Sequence, residues 1–288
     1  MDYTFRFERT SGTEITCVAG SRSKEYITGA RDGTLRIQTL TAPDGGGQSR
    51  VAEHESPVEA LAATDTLAAS ADSDGTVAVW EPASLANYAT TCCHSAPVRA
   101  LDISGDNTSV VSGGFDTDLV FSPAPDWTPP DHQWTLGWKI VTCSVHPAQS
   151  LVAVGGVHSS VQVVGLSARD DVVRLGGHET AVVGVAFAPA GDHLVTVDYT
   201  GDVRIWSVDS WTLQTLATLE PSGDYPLAVS EERIYIGTDD GIHVCDFDGT
   251  ATGHIETAVG IADIALVDTT SLVAIPHTGS ELVYTRLT

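Results

Sequence analysis

Lysine is nearly missing from this sequence: Lys24 and Lys139 are the only two in 288 residues. Arginine brings the basic total to 14, against 38 acidic residues, and no three basic residues cluster anywhere. A phosphate backbone is bound by Lys and Arg side chains that displace counterions, so this shortage excludes a nucleic-acid partner. Long apolar runs are missing as well. None approaches the roughly 18 residues of a spanning helix, and the opening MDYTFRFERT has no apolar core of signal-peptide length, so no membrane role is expected and the chain reads as soluble and cytoplasmic. Cysteine is sparse and unpaired in pattern: Cys17, Cys92, Cys93, Cys143 and Cys245 form an odd set with no C-x-x-C, which predicts reduced thiols and no zinc site. The nucleophile motif G-x-S-x-G, a Gly-Lys phosphate loop and the D-x-D-x-D-G calcium loop are all absent, so no cofactor and no metal ligand set is expected.

What is present is acid. The formal net charge is −24. Self-repulsion of that size costs stability in dilute buffer and largely disappears near 1 M salt, where the Debye length falls to about 3 Å, so the charge implies a salt-loving cytoplasm. Hydrophobic residues still make up 42% of the chain, enough for one core.

That core is built by repetition. From His178 to Trp206 the sequence gives an apolar run (Val182 to Phe187), an Ala-Pro-Ala-Gly turn, a second run (Leu194 to Val197), a Tyr-Thr-Gly corner and a third strand ending at Trp206. A fourth strand, around Leu213 to Leu219, completes a small sheet that cannot bury its own faces. The corner recurs. Counting the residue before each corner glycine or its equivalent gives Asp32, Asp74, Asp116, His158, Thr200, Asp240 and Thr278, spaced by 42, 42, 42, 42, 40 and 38. A period near 40 to 45 marks propeller blades, and seven corners predict an all-β, seven-bladed β-propeller of four-stranded antiparallel blades, a single domain over residues 1–288.

Gly177-His178, the Asp-Gly corners at 32–33, 74–75 and 240–241, and the strand-ending Trp80 and Trp206 resemble the WD-repeat (WD40-type) β-propeller family over essentially the whole chain. No literal Trp-Asp dipeptide occurs, and His158 and Thr278 stand where the family prefers aspartate. The resemblance implies that the N-terminal strand, in which Tyr3, Phe5 and Phe7 alternate with polar residues, fills the outer place of the last blade and closes the ring. It also implies a hydrogen-bonded tetrad of His54, Ser70, Asp74 and Trp80. Taken alone, His54, Ser70 and Asp74 look like a hydrolytic triad, but the set recurs in part at His178, Thr196 and Trp206, and a repeated constellation is scaffolding. His54, His94, His178 and His254 accordingly read as structural.

The resemblance implies a non-enzymatic scaffold that binds a protein or peptide on the narrow face, as a monomer within a larger complex. The family's fold exposes there the residue before each corner: Arg31, Ser73, Phe115, Val157, Tyr199, Asp239 and His277. Loops entering the fourth and sixth blades add Trp138 and Tyr225. Aromatics and arginine dominate interface hot spots, so Arg31, Phe115, Trp138, Tyr199 and Tyr225 are the expected partner-binding set. Trp127, in the proline-rich insertion 122–134, is a second candidate. Asp72, Asp74, Asp239 and Asp240 lie near hairpin corners, where oxygen-rich turns can hold calcium, and the alternative is a calcium-dependent, lactonase-like hydrolase with its site at the central channel. A quinone-cofactor propeller is a third.

Overall fold

The computed structural model describes residues 6–9, 13–20, 25–39, 50–124, 126–127, 133–166, 171–220, 222–223, 225–269, 271–277 and 281–286. Tyr3 and Phe5, the glycine-rich stretch 42–48, part of the insertion and the last corner residue, Thr278, lie outside them. The described residues contain no helix, and therefore none long and apolar enough to cross a membrane.

The strands of this propeller pair into antiparallel four-stranded sheets, seven among the described residues. Six are formed by consecutive strands within 15–53, 58–92, 98–135, 140–175, 182–218 and 227–256. In the seventh, the three strands of 261–286 are joined by Arg6–Arg9, which pairs with Glu281–Arg286 in the register Arg6↔Tyr284 and Arg9↔Glu281.

Position within a sheet decides burial. The second strand is covered on both faces and reads as a continuous small or apolar run: Ala68–Asp72, Leu151–Gly156, His193–Asp198 and Ile234–Thr238 are almost wholly buried. The outermost strand alternates instead, as in Asn87–Cys92 and Thr212–Thr218, because only one face meets protein. The hydrophobic clusters each lie between two neighbouring sheets. Val58, Ala68 and Trp80 of the second sheet meet Leu35 and Ile37 of the first, while Ala69, Val77 and Val79 meet Val98 and Val110 of the third. The same arrangement continues to Val267 and Val273 of the last sheet, which pack on Val18 and Tyr26 of the first. First strands also pack side by side in succession, with 261–268 against 15–20.

Two local devices shape the sheets. Near its start the first strand of six sheets carries a register shift, as at Val58/Ala60 and Val182/Gly184, which bends the strand. The strand Leu227–Val229 of the sixth sheet has none, and its corner is a two-residue turn with Thr238 opposite Gly241. The second device lies in the turns between third and fourth strands. Leu85, Trp127 and Trp211 adopt φ of 56°, 53° and 53°, a region costly for bulky residues. Leu85 and Trp127 are buried, and Trp211 packs against the cluster between the fourth and fifth sheets. Each plugs the end of an inter-sheet core. Trp127 is therefore a core residue, contrary to the expectation that it marks a second binding site.

Candidate functional site

The corners share one face with the crossovers between sheets. The amide N–H of the residue before a corner donates to the carbonyl at the entry of its own first strand: Arg31 to Glu14, Ser73 to Pro57, Phe115 to Pro97, Val157 to Lys139, Tyr199 to Ala181 and His277 to Gly260, all at 2.8 to 3.0 Å. In the sixth sheet Gly237 makes this bond to Pro226, and Asp239 lies two residues further along the turn.

Histidine networks hold this face together. In the second sheet, His54 Nε2 is 2.6 Å from Ser70 Oγ, and Trp80 Nε1 donates to the same oxygen at 2.7 Å. His54 Nδ1 is 2.9 Å from Asp72 Oδ2. The other carboxylate oxygen of Asp72 accepts the amides of Asp74 and Thr76 at 3.0 and 2.9 Å. A single proton arrangement satisfies the chain: Trp80 donates to Ser70, Ser70 to His54 Nε2, and His54 Nδ1–H to Asp72. The fourth member is thus Asp72, not Asp74. Asp74 is exposed and accepts the Ser56 hydroxyl instead.

The third sheet reaches the same end differently. His94 Nε2 meets Ser112 at 2.9 Å, but its Nδ1 meets both oxygens of Asp116, the corner residue, at 3.0 Å. Gly114 occupies the position that Asp72 holds in the second sheet. A Cβ there would stand 2.7 Å from Asp116 Oδ1 and 2.9 Å from His94 Nδ1, so glycine is what lets the corner aspartate reach in. In the fifth sheet His178 Nε2 is 2.8 Å from Thr196 Oγ1, which accepts Trp206 Nε1 at 3.0 Å. Here Nδ1 lies 3.4 Å from Asp198 Oδ2 without a hydrogen bond, and burial holds the pKa of His178 below its usual value. These residues are enclosed, and a buried serine shared by a histidine and a tryptophan has no substrate to attack.

Around this frame lie the expected contact residues. Arg31 is exposed and ion-paired with Glu14 at 3.2 Å. Phe115 is half-buried beneath Lys139, whose Nζ stands 4.9 Å from the ring centroid. Trp138 is half-buried, with its ring centroid 5.6 Å from that of His158. Tyr199 is 57% exposed, and Val157, on the neighbouring corner, 58%. Tyr225 does not belong with them. It is only 2% exposed, and its hydroxyl accepts the Ser222 amide at 2.6 Å and donates to the Glu220 carbonyl at 3.0 Å. Its bulk fills the seam between the fifth and sixth sheets. Lys139 was missed by sequence reasoning, although its position beside Trp138 and its rarity were both visible.

A cavity of about 310 Å³ opens among the first strands of the first, second, third and seventh sheets, lined by Glu14, Arg31, Glu59, Arg99 and His277 among others. Arg99 is paired with Glu59 at 2.6 Å. First strands of neighbouring sheets are also tied by side chains. Asp102 accepts the Val145 amide at 2.7 Å, Asp263 the Val18 amide at 2.8 Å, and Ser144 the Phe187 amide at 3.1 Å. Burial raises the pKa of Asp102 to about 6 and that of Asp263 to about 7. The acids named for a calcium site stay at their own corners: Asp72 binds His54, Asp74 binds Ser56, Asp239 lies 3.9 Å from His277, and Asp240 faces His243 and His254. All five cysteines are free, and burial raises the pKa of Cys93 and Cys245 to about 11, which disfavours their thiolates.

The family profile "WD domain, G-beta repeat" matches residues 3–37, 87–121 and 170–207. The second match begins on the outermost strand of one sheet, at Asn87, and ends on the third strand of the next, and the third match likewise straddles two sheets. Topless-related protein 4 of Arabidopsis thaliana is 30% identical over 101 residues. That stretch is 34% of this chain and only 9% of the relative.

Proposed function

We propose that this chain, a WD40-repeat protein, is a non-enzymatic scaffold that holds a protein or peptide on the face carrying its corners. Phe115, Trp138 and Tyr199 are the anchors, Arg31 a peripheral charged contact, and the buried Tyr225 a support beneath Gly201 of the same corner. The observation that carries this reading is the pair Val157 and Tyr199, two large apolar side chains more than half exposed on adjoining corners. They continue the half-buried Phe115 and Trp138 and the exposed Lys139. An exposed apolar patch with a rigid base and a charged rim is the usual form of an interaction site.

The rest of the reading concerns the frame. The chain is one domain, a closed seven-bladed ring whose N-terminal strand completes the last blade; the pairing of Arg6–Arg9 with Glu281–Arg286 supports it. It works as a monomer within a larger complex, in a cytoplasm rich in salt. Stability should therefore climb steeply between dilute and molar potassium chloride, whereas a flat response would remove the salt-adapted part of the reading.

The binding face is tested with the double variant Phe115→Ser, Tyr199→Ser. Recovery of partner from native lysate in high salt should be lost, with the melting temperature shifted by only a few degrees. Unchanged recovery at unchanged melting temperature would place the interaction elsewhere.

A further inference from the structure

The expectation that His254 joins the inter-blade histidines fails. His254 lies within the outermost strand of the sixth blade, Ala251–Glu256, directly opposite His243 on the third strand. The crossover place held by His54 and His94 belongs here to Thr257, whose amide bonds the carbonyl of the corner residue Asp240. His254 is thus free of the tetrad role, and its ring stacks on His243 with centroids 4.4 Å apart and planes 30° from parallel. Both rings turn Nε2 toward one carboxylate: Asp240 Oδ1 is 3.1 Å from His243 Nε2, and Oδ2 is 3.6 Å from His254 Nε2.

We infer that Asp240, His243 and His254 form a binding site for a divalent transition ion of the zinc class. The donor set fits: two imidazole nitrogens and a carboxylate oxygen are ligands for zinc, cobalt, nickel or copper rather than for calcium. The spacing fits as well. Ligand atoms about 2.05 Å from a tetrahedral zinc stand about 3.3 Å from one another. Each nitrogen stands near that distance from a different oxygen of the same carboxylate, 3.1 and 3.6 Å, and one ligand atom from each of the three residues lies within 4.8 Å of the others. The Thr238 hydroxyl donates to Asp240 Oδ1 at 2.6 Å, an outer partner that aims the carboxylate. The backbone makes room. Gly241 sits at φ 142°, and a Cβ there would stand 3.1 Å from His254 Nε2. The side chains are 32 to 65% exposed, so an ion has access and its remaining position would face solvent. Bound metal would tie the short corner of the sixth blade to its outermost strand, replacing the tetrad that this blade lacks. A second cluster, His178, Asp198 and Asp202, is closed inside the fifth blade and serves the structural network there.

The test is a titration of chelator-treated, full-length protein with cobalt(II), then zinc(II), in molar potassium chloride with excess magnesium to silence the acidic surface. One equivalent should bind with a visible ligand-field band, and zinc should displace it. His243→Ala and His254→Ala should each weaken binding at least about tenfold, and Thr238→Ala by about tenfold, as is usual for outer-shell partners. Asp239→Ala, one residue outside the cluster, should change nothing. If an alanine variant melts early without metal, His243→Gln makes the same subtraction while keeping the bulk. No stoichiometric binding, or binding that survives loss of both histidines, would overturn the inference.

Discussion

Asp72 and Asp240 both stand at the hairpin between the second and third strands of a blade, and they are used in opposite ways. Asp72 is 2% exposed, closed over by His54 and by the amides of its own turn. The side chain of Asp240 is 65% exposed, and its histidines come from the third and fourth strands rather than from the crossover. The difference begins in the backbone. A three-residue corner follows Asp72, the last residue of the second strand, whereas in the sixth blade the buried Thr238 ends that strand and a two-residue corner carries Asp240. The carboxylate that closes the second blade ends its second strand, and the one in the sixth stands on the corner itself, open to solvent.

The largest effect should come from breaking the closed member. Asp72→Ala leaves a buried imidazole N–H and two amides without acceptors and is expected to lower stability by about 3 kcal/mol, read as a shift in the urea midpoint. Asp74→Ala and Asp240→Ala should each stay within about 0.5 kcal/mol of the parent, as exposed substitutions do. A loss at Asp74 matching that at Asp72 would restore the tetrad first expected from the sequence. Next comes Gly114→Ala, which pushes Asp116 away from His94 and is expected to cost about 1 to 3 kcal/mol in the same assay.

A pH-dependent effect separates the first strands from the corners. Asp102 and Asp263 have folded-state pKa values raised to about 6 and 7, so they hold protons that the unfolded chain has already released. Their contribution is full below the unfolded value near 3.9 and is lost as the pH rises through 6 to 7. His178 works in the opposite sense. Its pKa is lowered by burial, so its contribution is present above about 6.5 and is lost as the pH falls. Asp102→Asn with Asp263→Asn should remove the decline between pH 4 and 7 and leave the histidine-driven rise. An unaltered decline in the double variant would mean that other groups set the pH response.

Much of the frame was legible because the corner repeats at a nearly constant interval, and turn chemistry is local. The site was harder to read, since it depends on where side chains point. Aligning each corner on its glycine placed Asp74 in the tetrad. The overlooked signal was Asp72 and Asp198, three periods of 42 apart and each ending a buried second strand. Leu85 and Trp127 are likewise one period apart, and Trp211 lies two further on, marking the plugs between third and fourth strands. Tyr225 could not be placed from its neighbours. Only the fold shows its hydroxyl running beneath Gly201, where a Cβ would meet it at 2.8 Å.

The most direct test of the binding face sets Tyr199 against Tyr88, an equally exposed tyrosine (51%) on the outermost strand of the second blade. A photo-crosslinking phenylalanine analogue is placed at each position in turn, and irradiation is carried out in native lysate at high salt. The account predicts one discrete, saturable adduct from position 199 that unlabelled protein competes away, and none from position 88. Equal labelling from both positions, or an adduct from 88 alone, would contradict it.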